Sequence, residues 1–133
     1  YEVDHKNYIE SSRKILEAIG NYVYENLNSN NVLINKPQGG FYLMPEFISA
    51  KFNTSSDMCK NILEMTGVAL LPGSDFGFDK KRMIARLSFT DFDGKILMEK
   101  YEENKILDNE LIKNFAPKIA EGTEKLKKWS ESI

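Results

Sequence analysis

The sequence predicts an α+β domain in which a small sheet is covered by helices. Three observations predict it. Apolar residues recur at helical spacing near both ends of the chain, and short β-forming runs broken by glycine and proline lie between them. The third is size: 133 residues, 41% of them hydrophobic, suffice for one buried core, and no apolar run reaches membrane-spanning length. Residues 1–133 are therefore expected to form a single domain.

The first element is a helix. Tyr8, Ile9, Ile15, Leu16, Ile19, Tyr22, Val23 and Leu27 recur at spacings of three, four and seven with Lys, Arg and Glu between them. The cluster Asn28-Ser29-Asn30-Asn31 stops it. Val32-Leu33-Ile34 is a short apolar run before the turn-rich Lys36-Pro37-Gln38-Gly39-Gly40, and Phe41-Tyr42-Leu43-Met44 reads as a strand closed by Pro45. Thr54-Ser55-Ser56-Asp57 offers N-caps for a helix carrying Met58, Cys59, Ile62, Leu63 and Met65, with Gly67 where a C-terminal cap belongs. Val68-Ala69-Leu70-Leu71 reads as a short buried strand running into the loop Pro72-Gly73-Ser74-Asp75-Phe76-Gly77. From Met83 to Thr90 the pattern alternates, Met83, Ala85, Leu87 and Phe89 on one face and Ile84, Arg86, Ser88 and Thr90 on the other, which is a strand. After Asp91-Phe92-Asp93-Gly94 the chain turns helical, with a stripe of Leu107, Leu111, Ile112, Phe115, Ile119, Leu126, Trp129 and Ile133. Pro117 marks a fresh helix start, because proline is tolerated in a first turn and disruptive later.

Charge and composition exclude several function classes. Eighteen Lys+Arg against 20 Asp+Glu leave a formal charge of -2, which argues for neither a nucleic-acid groove nor an anionic membrane surface as partner. One cysteine, Cys59, forms no internal disulfide, and with one histidine, His5, no Cys/His zinc site assembles within the chain. No acidic loop has the ligand spacing of a Ca²⁺ or Mg²⁺ site, so no metal is expected. Cys59, among apolar helical residues, is read as a buried, inert thiol, and His5 as a solvated surface residue. Glu102, Glu103, Asp108 and Glu110 are read as a wet helical surface. The chain starts at Tyr1 without an initiator Met, as a piece of a longer protein would.

Arg86 stands out. Among 15 lysines and 3 arginines, it is an arginine in the middle of an otherwise apolar strand. A planar guanidinium fork grips a carboxylate or phosphate bidentately, and an ammonium does not. The pattern equally fits a solvent-facing residue on an edge strand beside Ser88 and Thr90, and spacing leaves both readings open. The loop Pro72 to Gly77 could converge backbone N–H groups on an anion, although an ordinary connection using glycines for positive φ explains it more economically. It lacks the endings of nucleotide-binding loops. No complete catalytic set is present in the chain.

Read in order, Pro37-Gln38-Gly39-Gly40-Phe41-Tyr42-Leu43, then Gly67-Val68-Ala69-Leu70-Leu71-Pro72-Gly73-Ser74-Asp75-Phe76-Gly77, then Ile84-Ala85-Arg86-Leu87-Ser88-Phe89 closely resemble the C-terminal part of class I/II pyridoxal-phosphate (PLP) aminotransferases. With the final helix ending Glu121 to Trp129, the resemblance covers nearly the whole chain. It implies the small, C-terminal domain of an aspartate-aminotransferase-like fold. Arg86 takes the position of the arginine that holds the substrate α-carboxylate, and Ser74 and Phe76 fall on a loop at the mouth of the active site. The Gly39-Gly40-Phe41-Tyr42 segment is read as mainly structural, its aromatics used for packing.

The resemblance implies that PLP is bound by a large domain that no part of this sequence resembles, so no cofactor-binding residue is expected here. Ser49-Ala50-Lys51 superficially matches the family's lysine motif, but it lacks the following glycine and arginine and lies between the small-domain motifs, so Lys51 is rejected as the PLP lysine. The implied substrates are an amino acid and a 2-oxo acid, the implied assembly a homodimer of the full-length protein, and the implied compartment the cytoplasm. The 133-residue chain by itself is expected to be inactive. Two alternatives share the resemblance: another PLP enzyme of the fold, a C–S lyase or synthase, and a non-catalytic module of a transcription regulator.

Overall fold

A computed structural model of the chain describes residues 2–35, 42–89, 92–104 and 106–133, with side chains from Ile9 onward. Helix α1 (Glu2–Leu27) buries Ile15, Ile19, Val23 and Leu27, the three- and four-residue spacings of the sequence pattern, while Ile9 is half exposed. His5 and Tyr8 lie outside the described side chains, and Lys36 to Phe41, which include most of the glycine-glycine motif, Thr90 and Asp91 lie outside the described residues.

The sheet region is antiparallel throughout and divided in two. Strand β1 (Val32–Leu33) pairs with β3 (Glu46–Phe47), a strand the sequence did not suggest. Strands β2 (Tyr42–Leu43), β5 (Ala85–Ser88) and β4 (Leu71–Pro72) form a second sheet in the order β2-β5-β4. A bridge between Glu46 and Ile84 and the bond from the Phe47 N–H to the Met83 carbonyl, 2.8 Å, join the two. The expected single small sheet is therefore two short sheets laced together at β3.

Helix α2 (Ser55–Thr66) is capped at both ends as the sequence predicts. Thr54 Oγ1 accepts from the Asp57 N–H at 3.1 Å, and Gly67, at φ 77°, donates its N–H to the Leu63 carbonyl. The next segment differs from expectation. Only Leu71 and Pro72 pair as a strand; Leu70 is buried, whereas Ala69 and Leu71 are exposed, so the apolar run is no continuous buried strand. Helices α3 (Gly94–Asn104), α4 (Asn109–Phe115) and α5 (Pro117–Ser132) close the fold, with Pro117 in the first turn of α5.

One continuous core results. Ile19, Val23 and Leu27 of α1, Met58 and Ile62 of α2, Phe47 of β3 and Leu126 and Trp129 of α5 meet in it. Trp129 packs edge-on to Phe47 at 5.4 Å between centroids and stacks with Phe52 at 6.1 Å, and its indole N–H donates to Asn61 Oδ1 at 3.0 Å. Helices thus cover one side of the β2-β5-β4 sheet, against which Ala85, Leu87 and Leu43 are buried.

Candidate functional site

The other side of that sheet holds Arg86. Side chains alternate along β5, so if Ala85 and Leu87 face the core, Arg86 and Ser88 point away from it. Cross-strand partners share a face. The register pairs Tyr42 with Ser88 and Leu71 with Arg86, which brings these four side chains together on the outer side. β5 is the central strand, so the reading of Arg86 as a residue of a solvent-facing edge strand does not hold.

Arg86 is flanked by aromatic rings. Its guanidinium carbon lies 4.2 Å from the Tyr42 ring centroid and 4.9 Å from that of Phe76. One ring comes from β2 and the other from the turn after β4, opposite flanks of β5. Among the described residues Arg86 makes no ion pair or hydrogen bond, and its Nε is buried without a partner. A buried donor without a partner costs on the order of 1–3 kcal/mol, and the two terminal nitrogens, also without a hydrogen bond among the described residues, are the donors left for an anion.

Arg82 shows the contrast. It too sits over an aromatic ring, Phe78 at 5.8 Å, but its Nη2 and Nε donate to Glu46 at 3.0 and 3.2 Å. Those bonds, and the Glu46 charge, push the Arg82 guanidinium above its ordinary value. Its fork is occupied, and that of Arg86 is open among the described residues.

The loop that carries Phe76 is a 3₁₀ turn, Gly73–Phe76, fixed by two glycines with different tasks. At Gly73 the requirement is space: a Cβ there would lie 2.8 Å from the Ile84 carbonyl oxygen, because the Gly73 N–H bonds that same oxygen at 2.7 Å. At Gly77 it is conformation, φ 92°, and the Gly77 N–H closes the turn on the Gly73 carbonyl. Ser74 makes no hydrogen bond with Arg86. Its hydroxyl lies 3.4 Å from that of the buried Ser55 at the start of α2, which ties the turn to the helix. Of the three site residues read from sequence, Arg86 and Phe76 thus meet, and Ser74 serves the loop.

The sequence suggests a packing role for Tyr42. It is instead exposed on the outer face, and its ring is the nearer of the two to Arg86. The signal that could have found it is register: once Tyr42 opposes Ser88, alternation puts it on the face of Arg86.

Other reactive groups lie apart. Cys59 is buried, and burial, with the Asp75 charge, pushes its thiol up to about 11, so it is protonated at neutral pH. Lys51 is exposed after β3, and no described lysine side chain is buried. Among the described residues no group of three or more His, Cys, Asp or Glu could hold a metal ion, and no helix is long and apolar enough to cross a membrane.

No family model matches the chain. It is 43% identical over 68 residues to the probable N-acetyl-LL-diaminopimelate aminotransferase of Bacillus subtilis, covering 51% of this chain and 17% of that protein. With the aspartate aminotransferase of Sulfolobus acidocaldarius it shares 28% identity over 86 residues, 62% of this chain and 21% of that protein. The aromatic aminotransferase of Pyrococcus horikoshii superposes on 95% of the chain with a TM-score of 0.65 at 22% identity. The chain has the fold of an aspartate-aminotransferase-like segment. This segment spans about a fifth of the length of the two curated relatives and 27% of the solved chain.

Proposed function

We propose that the chain is the C-terminal small domain of a PLP-dependent aminotransferase that moves an amino group between an amino acid and a 2-oxo acid. One observation carries the reading: Arg86 stands on the outer face of the central strand, between two aromatic rings, with no counter-ion among the described residues. The identity to two aminotransferases supports the same reaction class. In this reading Arg86 grips the substrate α-carboxylate and the turn carrying Ser74 and Phe76 borders the site. The lysine and the phosphate cradle for PLP are supplied by chain outside these 133 residues, and the working enzyme is a cytoplasmic homodimer.

The work asked of Arg86 is orientation. A bidentate ion pair fixes both ends of the carboxylate and with them the direction of the substrate Cα–H bond. Such positioning is worth several kcal/mol in a barrier, and the apolar flanks strengthen it by excluding water.

The test is Arg86→Lys in the full-length protein. Lysine keeps the charge and loses the fork, so KM for amino acids should rise by about ten- to a hundredfold. Unchanged kinetics would remove Arg86 from the substrate site. Dependence of turnover on an added 2-oxo acid separates transfer from elimination.

A further inference from the structure

We propose that Tyr42 and Phe76 are positioning residues which, acting through Arg86, make this site accept a planar carboxylate in preference to a tetrahedral anion. The proposal deepens the reading above and rests on it.

Three features of the geometry lead there. The rings reach the guanidinium from opposite flanks of β5, at 4.2 and 4.9 Å, so two sides of the cation face π-surfaces. Leu71, directly opposite Arg86 in the register, adds an apolar neighbour on the same face. Nε is buried and unpartnered, which leaves the two terminal nitrogens as the donors an arriving anion meets. An anion therefore approaches at the terminal edge, with aromatic carbon on either flank.

Shape then outweighs charge. Both oxygens of a carboxylate lie in one plane and match two parallel N–H groups of the fork. A phosphonate or sulfonate must direct at least one oxygen out of that plane. There it meets the negative face of an aromatic ring and finds no donor, a desolvated position for an anionic oxygen. A guanidinium standing free in water would show the opposite order, because a phosphonate carries at least as much negative charge as a carboxylate. The preference is thus a property of the clamp, and charge alone does not produce it.

The clamp is also held in place. Gly73 packs on the Ile84 backbone, Gly77 closes the turn at φ 92°, and the Ser55 and Ser74 hydroxyls lie 3.4 Å apart, so Phe76 is set by backbone geometry. Tyr42 is set independently, by its place in β2. Two separate elements therefore aim their rings at one cation.

The experiment measures equilibrium binding by calorimetry to the full-length protein, with 2-methylalanine and its phosphonate counterpart, 1-amino-1-methylethylphosphonate, as non-transaminating probes. The wild type should bind the carboxylate more tightly. Phe76→Leu, and separately Tyr42→Leu on the other element, should each cut the carboxylate-over-phosphonate ratio by roughly three- to fivefold, whereas Phe76→Tyr and Tyr42→Phe, which keep the ring, should preserve it. Arg86→Met separates the two levels of the argument. If it abolishes 2-methylalanine binding while neither leucine variant changes the ratio, the arginine reading stands and the clamp is overturned. If Arg86→Met binds the probe as the wild type does, both fall. A wild type that binds the two probes equally, or does not bind 2-methylalanine, also overturns the proposal.

Discussion

The two sides of strand β5 follow different rules. On the helical side Ala85 and Leu87 are buried, and the polar groups that enter the core are partnered, the Trp129 indole by Asn61 and the Thr123 hydroxyl by the Ile119 carbonyl. On the outer side Tyr42, Leu71 and Phe76 are 44%, 51% and 40% exposed, around a cation whose Nε has no partner among the described residues. Stability resides on the first side, where among the described residues every buried side-chain nitrogen and oxygen is matched and rings interlock. The second side departs from both rules, as a surface kept ready for a ligand does. Substitutions that act on folding on one side and on binding on the other would sharpen the contrast.

The largest effect is expected at Trp129. Truncation to alanine removes two ring contacts and the Asn61 bond from a position 5% exposed, and should cost about 3–5 kcal/mol in urea unfolding of the chain. A loss below about 1 kcal/mol would show that the helical side is not where stability lies. Next comes Gly73→Ala, which joins the two sides. Its Cβ would lie 2.8 Å from a backbone oxygen that cannot swing away, so about 1–3 kcal/mol should be lost through overpacking, and the turn that positions Phe76 should shift. The same variant in the full-length protein should weaken substrate binding; intact binding would show that the turn does not place the ring.

Much of this arrangement is legible in the sequence where it depends on local chemistry. Thr54 and Gly67 cap α2, Pro117 opens α5, and the alternation around Arg86 separates the two faces, because caps, proline and alternation act within a few residues. What depends on pairing is not legible. β3 is two residues long, and its place follows from partners at Val32, Leu33 and Ile84. Val68 to Leu71 has the composition of a buried strand, yet pairing begins only at Leu71, so composition fixed neither its length nor its burial. Within the site, Arg86 is conspicuous as an arginine in a lysine-rich chain, whereas the placement of Tyr42 and Phe76 beside it appears only once β2 and β4 lie on either side of β5.

The smallest effect on folding is expected where the effect on binding is large. Arg86→Met in the 133-residue chain gives up two cation–π contacts, each worth about 0.5–1 kcal/mol when partly exposed. It also removes the buried Nε donor, whose lack of a partner costs on the order of 1–3 kcal/mol, and a thioether still packs against aromatic rings. The terms oppose each other, so the unfolding free energy from urea titration should stay within about 0.5 kcal/mol of wild type or rise, the exchange of stability against function that a ligand site exhibits. A loss above about 1.5 kcal/mol would make Arg86 a structural member of the sheet and erase the difference between its two sides. A rise, together with lost substrate binding in the full-length protein, would mean that folding tolerates Arg86 at a cost and that its contribution is to the ligand.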